Sequence, residues 1–327
     1  MIGEFNKIFD RDFVIGFFAP SLAFVMASLY LLRYLGVLPA WLSFDGVQTL
    51  KDATTLAFAS WVWAMFLLSI NRGVFRFIEG YWPFGLAHHL NGIERRRFIR
   101  LQTRLAALER QEEANGENNH GFCATDEKTR LLEQAARRFP GTEDLVLPTS
   151  FGNVVRAFED YPRIMYGYES IDGWNRLYTV LPKDYREVMN SARALTDFWV
   201  NLWFMSLLFV AEVVAVTVWT HRLIHVFIIV LVIIFSIWTY IMARDAVARW
   251  GEWVKAAFDV FLPELGKKLG YVVPTDREQE REFWLKLSQA MVFRDPGALD
   301  DIVCYRQAAS PDPQSPEESG DRQGSKK

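Results

Sequence analysis

FVIGFFAPSLAFVMASLYLL, Phe13 to Leu32, runs for twenty residues without a charged side chain. About 20 apolar residues in a helix cross the ~30 Å hydrocarbon core of a bilayer. Three runs of the same kind follow. Ala53 to Asn71 (ATTLAFASWVWAMFLLSIN) carries no charge, Phe198 to Thr220 is broken only by Glu212, and Leu223 to Ala243 (LIHVFIIVLVIIFSIWTYIMA) again has no full charge. In lipid the backbone is satisfied only in a helix or a closed barrel, and these runs are too long for barrel strands. The expected fold is an all-α membrane protein. It has four transmembrane helices in two hairpins, a helical cytoplasmic module inserted between the hairpins, and a helical C-terminal segment.

The segments divide at 1–12 (cytoplasmic N-terminus), 13–76 (first hairpin), 77–195 (cytoplasmic module), 196–243 (second hairpin), 244–306 (stalk and C-terminal helix) and 307–327 (disordered tail). Orientation follows from Lys and Arg in the short loops. Lys51 and Arg222 lie on one side. Lys7, Arg11, Arg72, Arg76, Arg95 to Arg97, Arg186, Arg193, Arg244 and Arg249 lie on the other. Both termini and the module are therefore expected inside the cell, which is read as a bacterial inner (plasma) membrane. Trp41, Trp82, Trp199 and Trp219 fall near span ends, where indoles anchor. The start, MIGEFNKIFDRDF, lacks a signal peptide's basic opening and cleavage site, so the first span is expected in the mature protein.

Across 327 residues the formal net charge is -3, which speaks against a nucleic-acid binder. The two cysteines, Cys123 and Cys304, both fall in segments placed in the cytoplasm and read as free thiols. No G-x-S-x-G, no phosphate-binding glycine loop and no four-ligand metal pattern occurs. His221 and His225 share a helix face, but two imidazoles alone do not make a structural zinc site. Neither a cofactor nor a metal is expected, and the protein is read as non-enzymatic.

Within the module, Ile93 to Glu113 places Ile93, Phe98, Leu101, Leu105 and Leu108 on one helical stripe, and Arg95, Arg96, Arg97 and Arg100 beside it. The plain reading is packing against neighbouring helices. The sharper one is a basic helix on anionic headgroups. Glu112 to Asp126 reads as a loop, and Glu127 to Phe139 as a helix stopped by Pro140-Gly141. Thr149 or Ser150 caps a helix expected to end before Pro162, with Arg156 reaching Glu159 or Asp160. Asp184 onward continues helically into the third span, the fourth continues to Pro263, and Thr275 to Glu278 is a capping box opening Asp276 to Met291.

Two candidate sites emerge. Glu212 lies in the hydrocarbon region, where a carboxylate is costly and marks function by default; Arg33 is its expected partner. One reading places Glu212 on an ion pathway, the other makes it a tie between hairpins. The second site is aromatic. Phe151, Phe158, Tyr161, Tyr166, Tyr168, Trp174 and Tyr178 crowd one stretch and form either a partner-binding surface or the core of a small domain. Ala19, Ala23 and Ala27, and Ala211 and Ala215, recur every four residues and permit close helix approach.

LPTSFGNVVRAFEDYPRIMYGYES, with INRGVFRFIEGYWP at Ile70 to Pro83, resembles stretches of bacterial multi-pass membrane proteins of unknown function. The resemblance implies a bacterial inner-membrane location and assigns no functional residue. The expected function is a membrane protein whose cytoplasmic module docks a partner, senses a signal or self-assembles. Its partners are the lipid bilayer, further copies of itself and a cytoplasmic protein or small molecule. The alternative is an oligomeric ion channel or transporter with Glu212 in its path.

Overall fold

The computed structural model describes residues 11–35, 50–82, 86–115, 122–221 and 224–307, with helices throughout. Trp41, His120, Arg222 and the tail from 308 lie outside the described residues, as do the side chains of His88, His89, Cys123 and His225. The helices are α1 (Arg11–Tyr34), α2 (Leu50–Glu79), α3 (Leu86–Asn115), α4 (Phe122–Arg138), α5 (Ser150–Tyr166), α6 (Ser170–Val180), α7 (Lys183–Thr220), α8 (Ile224–Lys268) and α9 (Arg277–Phe293). Four of them, α1, α2, α7 and α8, are long and apolar enough to cross a membrane.

Pro20 shapes α1. It has no N–H to give to the carbonyl of Gly16, four residues back. The helix widens into a π turn over Val14–Phe18, where the Ala19 N–H closes on Val14 O. Gly16 O is met from another helix: Asn201 Nδ2 on α7 donates to it at 2.8 Å. The approach requires glycine, because a Cβ at Gly16 would stand 3.1 Å from Asp197 Cβ. A third helix joins here, as Asn71 Nδ2 on α2 donates to Asp197 Oδ1 at 3.4 Å. Further along, Ser206 on α7 and Ser236 on α8 share a hydroxyl bond of 2.7 Å.

On α2, Leu56, Ser60, Ala64, Leu67, Val74 and Ile78 repeat at helical spacing and are buried. The helix runs eight residues past the apolar stretch, to Gly80, whose φ of +97° only glycine adopts freely. α7 has 38 residues and α8 has 45, so they are about 57 and 68 Å long. Both leave the apolar runs unbroken, and α8 passes Pro263 to Lys268 instead of ending there.

The module packs on these extensions. One buried cluster holds Val74 and Ile78 of α2, Phe151, Val154, Val155 and Phe158 of α5, Met189 and Val200 of α7, and Val247, Val254 and Phe258 of α8. Gly251 lets α5 lie against α8, since a Cβ there would stand 2.4 Å from Phe158 Cδ1. Tyr168 packs against Phe258 and Trp284, at ring separations of 6.0 and 5.4 Å.

Several local expectations change. α5 continues through Pro162 to Tyr166 and stops at left-handed Gly167, where Gly167 N–H bonds Arg163 O and Tyr168 N–H bonds Pro162 O. A proline so near the end disrupts a single turn, and Ser170 Oγ donates to the neighbouring Glu159 carbonyl. The stretch read as a loop at Glu112 to Asp126 is helical up to Asn115 and again from Phe122; the residues between lie outside the described ones. On α3, Phe98, Leu101 and Leu105 are buried and Phe98 packs on Phe139, whereas Ile93 is exposed. The cap of α9 is Asp276 itself, which accepts from the N–H groups of Glu278 and Gln279.

Candidate functional site

Glu212 sits on α7 facing α1, where Ser28 Oγ donates to its carboxylate at 2.7 Å. The acid is thus held by a hydroxyl five residues before Arg33 on the same helix. Around it, Leu31, Val213 and Val216 form a small apolar cluster. A hydroxyl donor lowers the cost of a polar group in lipid and ties the two helices. Ala23 and Ala27 line an apolar cavity of about 380 Å³ between α1, α7 and α8, while Ala211 and Ala215 are exposed. The small residues on α1 therefore leave space where close contact was expected.

The aromatic stretch divides by depth. Phe151, Phe158 and Tyr168 are buried in the core and cannot serve as a contact surface. Tyr161, Tyr166, Trp174 and Tyr178 are half-buried. Tyr161 and Tyr166 both donate to Asp259 Oδ1 on α8, at 2.9 and 2.8 Å. Burial and the bond to Asp259 push the Tyr161 phenol up to about 12, so it remains a neutral donor at physiological pH. Trp174 stacks toward Tyr178 and Phe258 at 6.3 and 5.8 Å. What remains accessible is a rim of phenol and indole edges.

Asn153 and Tyr240 are structural residues with no distinctive sequence signal. Buried Asn153 accepts from Leu147 N–H and donates to Leu147 O and to Glu94 Oε2, joining α5 to α3. Tyr240, near the end of the fourth apolar run, places its hydroxyl 3.2 Å from both Ser150 Oγ and Phe151 N, at the start of α5. A polar pair inside an apolar run was the only available hint.

On the α2 side, Arg72, Arg76, Glu79, Tyr81, Arg156 and Glu159 line a cavity of about 400 Å³. Arg156 bonds Glu159 at 3.3 Å and also the Tyr81 hydroxyl. Asp160 pairs instead with Arg163 at 2.9 Å. Burial pushes the Glu159 carboxyl above the usual carboxylate range, and Arg156 draws it back only in part.

On the opposite side of α5, Arg97, Arg100 and Arg104 of α3 face Arg138 of α4 and Arg244 of α8 across a cleft of about 500 Å³. The sequence placed Arg97 and Arg100 beside the amphipathic stripe; their meeting with Arg138 and Arg244 depends on the fold. Among the described residues no group of three or more His, Cys, Asp or Glu side chains is arranged to hold a metal. His221 caps the end of α7 in a left-handed conformation.

The fold and these sites define an all-helical chain with four helices able to cross a membrane. Comparison with protein-family models, with curated proteins and with solved structures returns no match.

Proposed function

We propose that this chain is a non-enzymatic, multi-pass protein of a bacterial inner membrane, with both termini cytoplasmic. α1 and α2 form one transmembrane hairpin and α7 and α8 the other. The cytoplasmic module between them docks a partner, senses a signal or assembles with further copies, and its state reaches the membrane through α7 and α8. The supporting observation is the shared core: buried residues of α5 pack directly on α2, α7 and α8, whose apolar halves continue without a break. A tilt of the module therefore moves helices inside the bilayer. The exposed Ala211 and Ala215 offer a face for a second copy.

The alternative is an oligomeric channel or transporter with Glu212 in its pathway. The bond from Ser28 favours Glu212 as a tie between α1 and α7. Ion flux in proteoliposomes decides between the two readings, with Glu212→Gln as the comparison, because glutamine keeps an acceptor for Ser28 and removes the charge. The proposal expects no flux from wild type or variant and similar thermal stability. Wild-type flux lost in Glu212→Gln contradicts it.

A further inference from the structure

Positive charge is gathered at one place where the module meets the membrane end of α8. Five guanidinium groups, those of Arg97, Arg100, Arg104, Arg138 and Arg244, line the cleft between α3, α4, α5 and α8, against a single carboxylate, Glu94. That carboxylate is already committed, bonded to Arg97 and to buried Asn153. Arg104 pairs outward with Glu127, and Arg244 with its neighbour Asp245. Arg100 and Arg138 form no ion pair among the described residues. A second cavity of about 370 Å³ shares Arg138 and Arg244 and adds Arg249. Like charges brought into one concave site repel, and the field they focus attracts an anion. The planar fork of arginine matches phosphate oxygens in pairs, which a surface lysine does not.

Depth narrows the source of the phosphate. Arg244 is the first residue after the apolar run Leu223 to Ala243. Ser150, which also lines the cleft, has its hydroxyl 3.2 Å from that of Tyr240 inside that run. The cleft thus opens within one helical turn of the hydrocarbon, at the level of lipid headgroups. Basic pockets at this level recognise anionic headgroups.

We propose that the cleft between α3, α4, α5 and α8 binds the phosphate of an anionic phospholipid headgroup, held by Arg100, Arg138 and Arg244. The bound lipid would fix the module against the bilayer. The inference rests on the docking reading above for what the module does. Because binding is scored on purified protein, it can fail while the absence of flux stands, and the reverse.

The test is native mass spectrometry of the full-length protein in detergent with added phosphatidylglycerol, beside a titration with inorganic pyrophosphate. Wild type is compared with the double variant Arg100→Gln/Arg138→Gln and with Lys267→Gln/Lys268→Gln, which alters exposed charges at the far end of α8. The expected result is phosphatidylglycerol binding weakened roughly 25-fold in the arginine variant, about fivefold per arginine, and unchanged in the lysine variant. Arg100→Lys/Arg138→Lys, which keeps the charge and loses the fork, is expected in between and guards against loss through misfolding. Equal phosphatidylglycerol binding in wild type and Arg100→Gln/Arg138→Gln overturns the proposal. So does binding of pyrophosphate alone with the same dependence on these arginines, which would assign the site to a soluble anion.

Discussion

The hydroxyl of Thr149 donates to the carbonyl oxygen of Glu79 at 2.9 Å, and to that of Ile78 at 2.8 Å, while accepting the N–H of Gly152 at 3.0 Å. One side chain therefore closes the end of α2 and opens α5. Gly152 completes the junction, since a Cβ there would stand 2.3 Å from Glu79 O. This joint connects a membrane-crossing helix to the module without an intervening linker.

Substitution at the joint is expected to be costly on both sides. Thr149→Val loses a cap and leaves two helix-end carbonyls without their donor, a loss of about 1–2 kcal/mol. Gly152→Ala forces backbone apart and costs about 1–3 kcal/mol. Chemical denaturation of the detergent-solubilised protein reads both. Wild-type stability in Gly152→Ala would show that α2 and α5 are not in close contact.

The π turn in α1 gives a double-mutant test. Asn201→Ala removes the donor to Gly16 O and is expected to cost about 1–3 kcal/mol, because the carbonyl is left unsatisfied in an apolar setting. In a Pro20→Ala background the new N–H at position 20 can serve that carbonyl, so the same substitution costs less. Additive losses would separate Asn201 from the proline.

Stability should depend on pH through Glu159. Its folded pKa is raised above the unfolded one, chiefly by burial. The fold therefore favours the protonated acid. That contribution is present in full below the ordinary carboxylate pKa of about 4.3 and is lost as pH rises through the folded value. Glu159→Gln is expected to flatten the rise-and-loss across this window and to exceed wild type in thermal midpoint above it. Parallel profiles for the two proteins would remove Glu159 as the source.

Phe258 on α8 is fully buried between Tyr168 and Trp174. Phe258→Ala is expected to cost about 3–5 kcal/mol. With the core shared, the loss should appear in the unfolding of α7 and α8 as well as of the module. Tryptophan fluorescence and far-ultraviolet circular dichroism should shift together. A fluorescence transition that moves while the helical one stays would mean two independent units.

The membrane-crossing helices were legible in the sequence because twenty apolar residues in a row have few alternatives. Phe13 to Leu32 and Leu223 to Ala243 each fall inside one helix. The helical continuation from Asp184 was legible for the same kind of reason, an unbroken pattern with no stop signal. Pro162 misled because a proline three residues before a glycine cap disrupts only the last turn, which capping bonds from Gly167 and Tyr168 offset. The aromatic stretch could be read for content and not for depth. Which of Tyr166 and Tyr168 turns inward is decided by α8 and α9, far away in the chain. The arginine cleft was least legible, since Arg100, Arg138 and Arg244 come from three helices and meet only after packing.

The central claim is that module and membrane helices form one cooperative unit. Native-state hydrogen exchange of the full-length protein, followed against rising denaturant, tests it most directly. The account predicts that buried amides of α5, 151–158, and of the α8 extension, 247–262, open together with one common free energy. Exchange of α5 at a clearly lower free energy than the α8 extension would contradict it, and would make the module a separate body resting on its stalks.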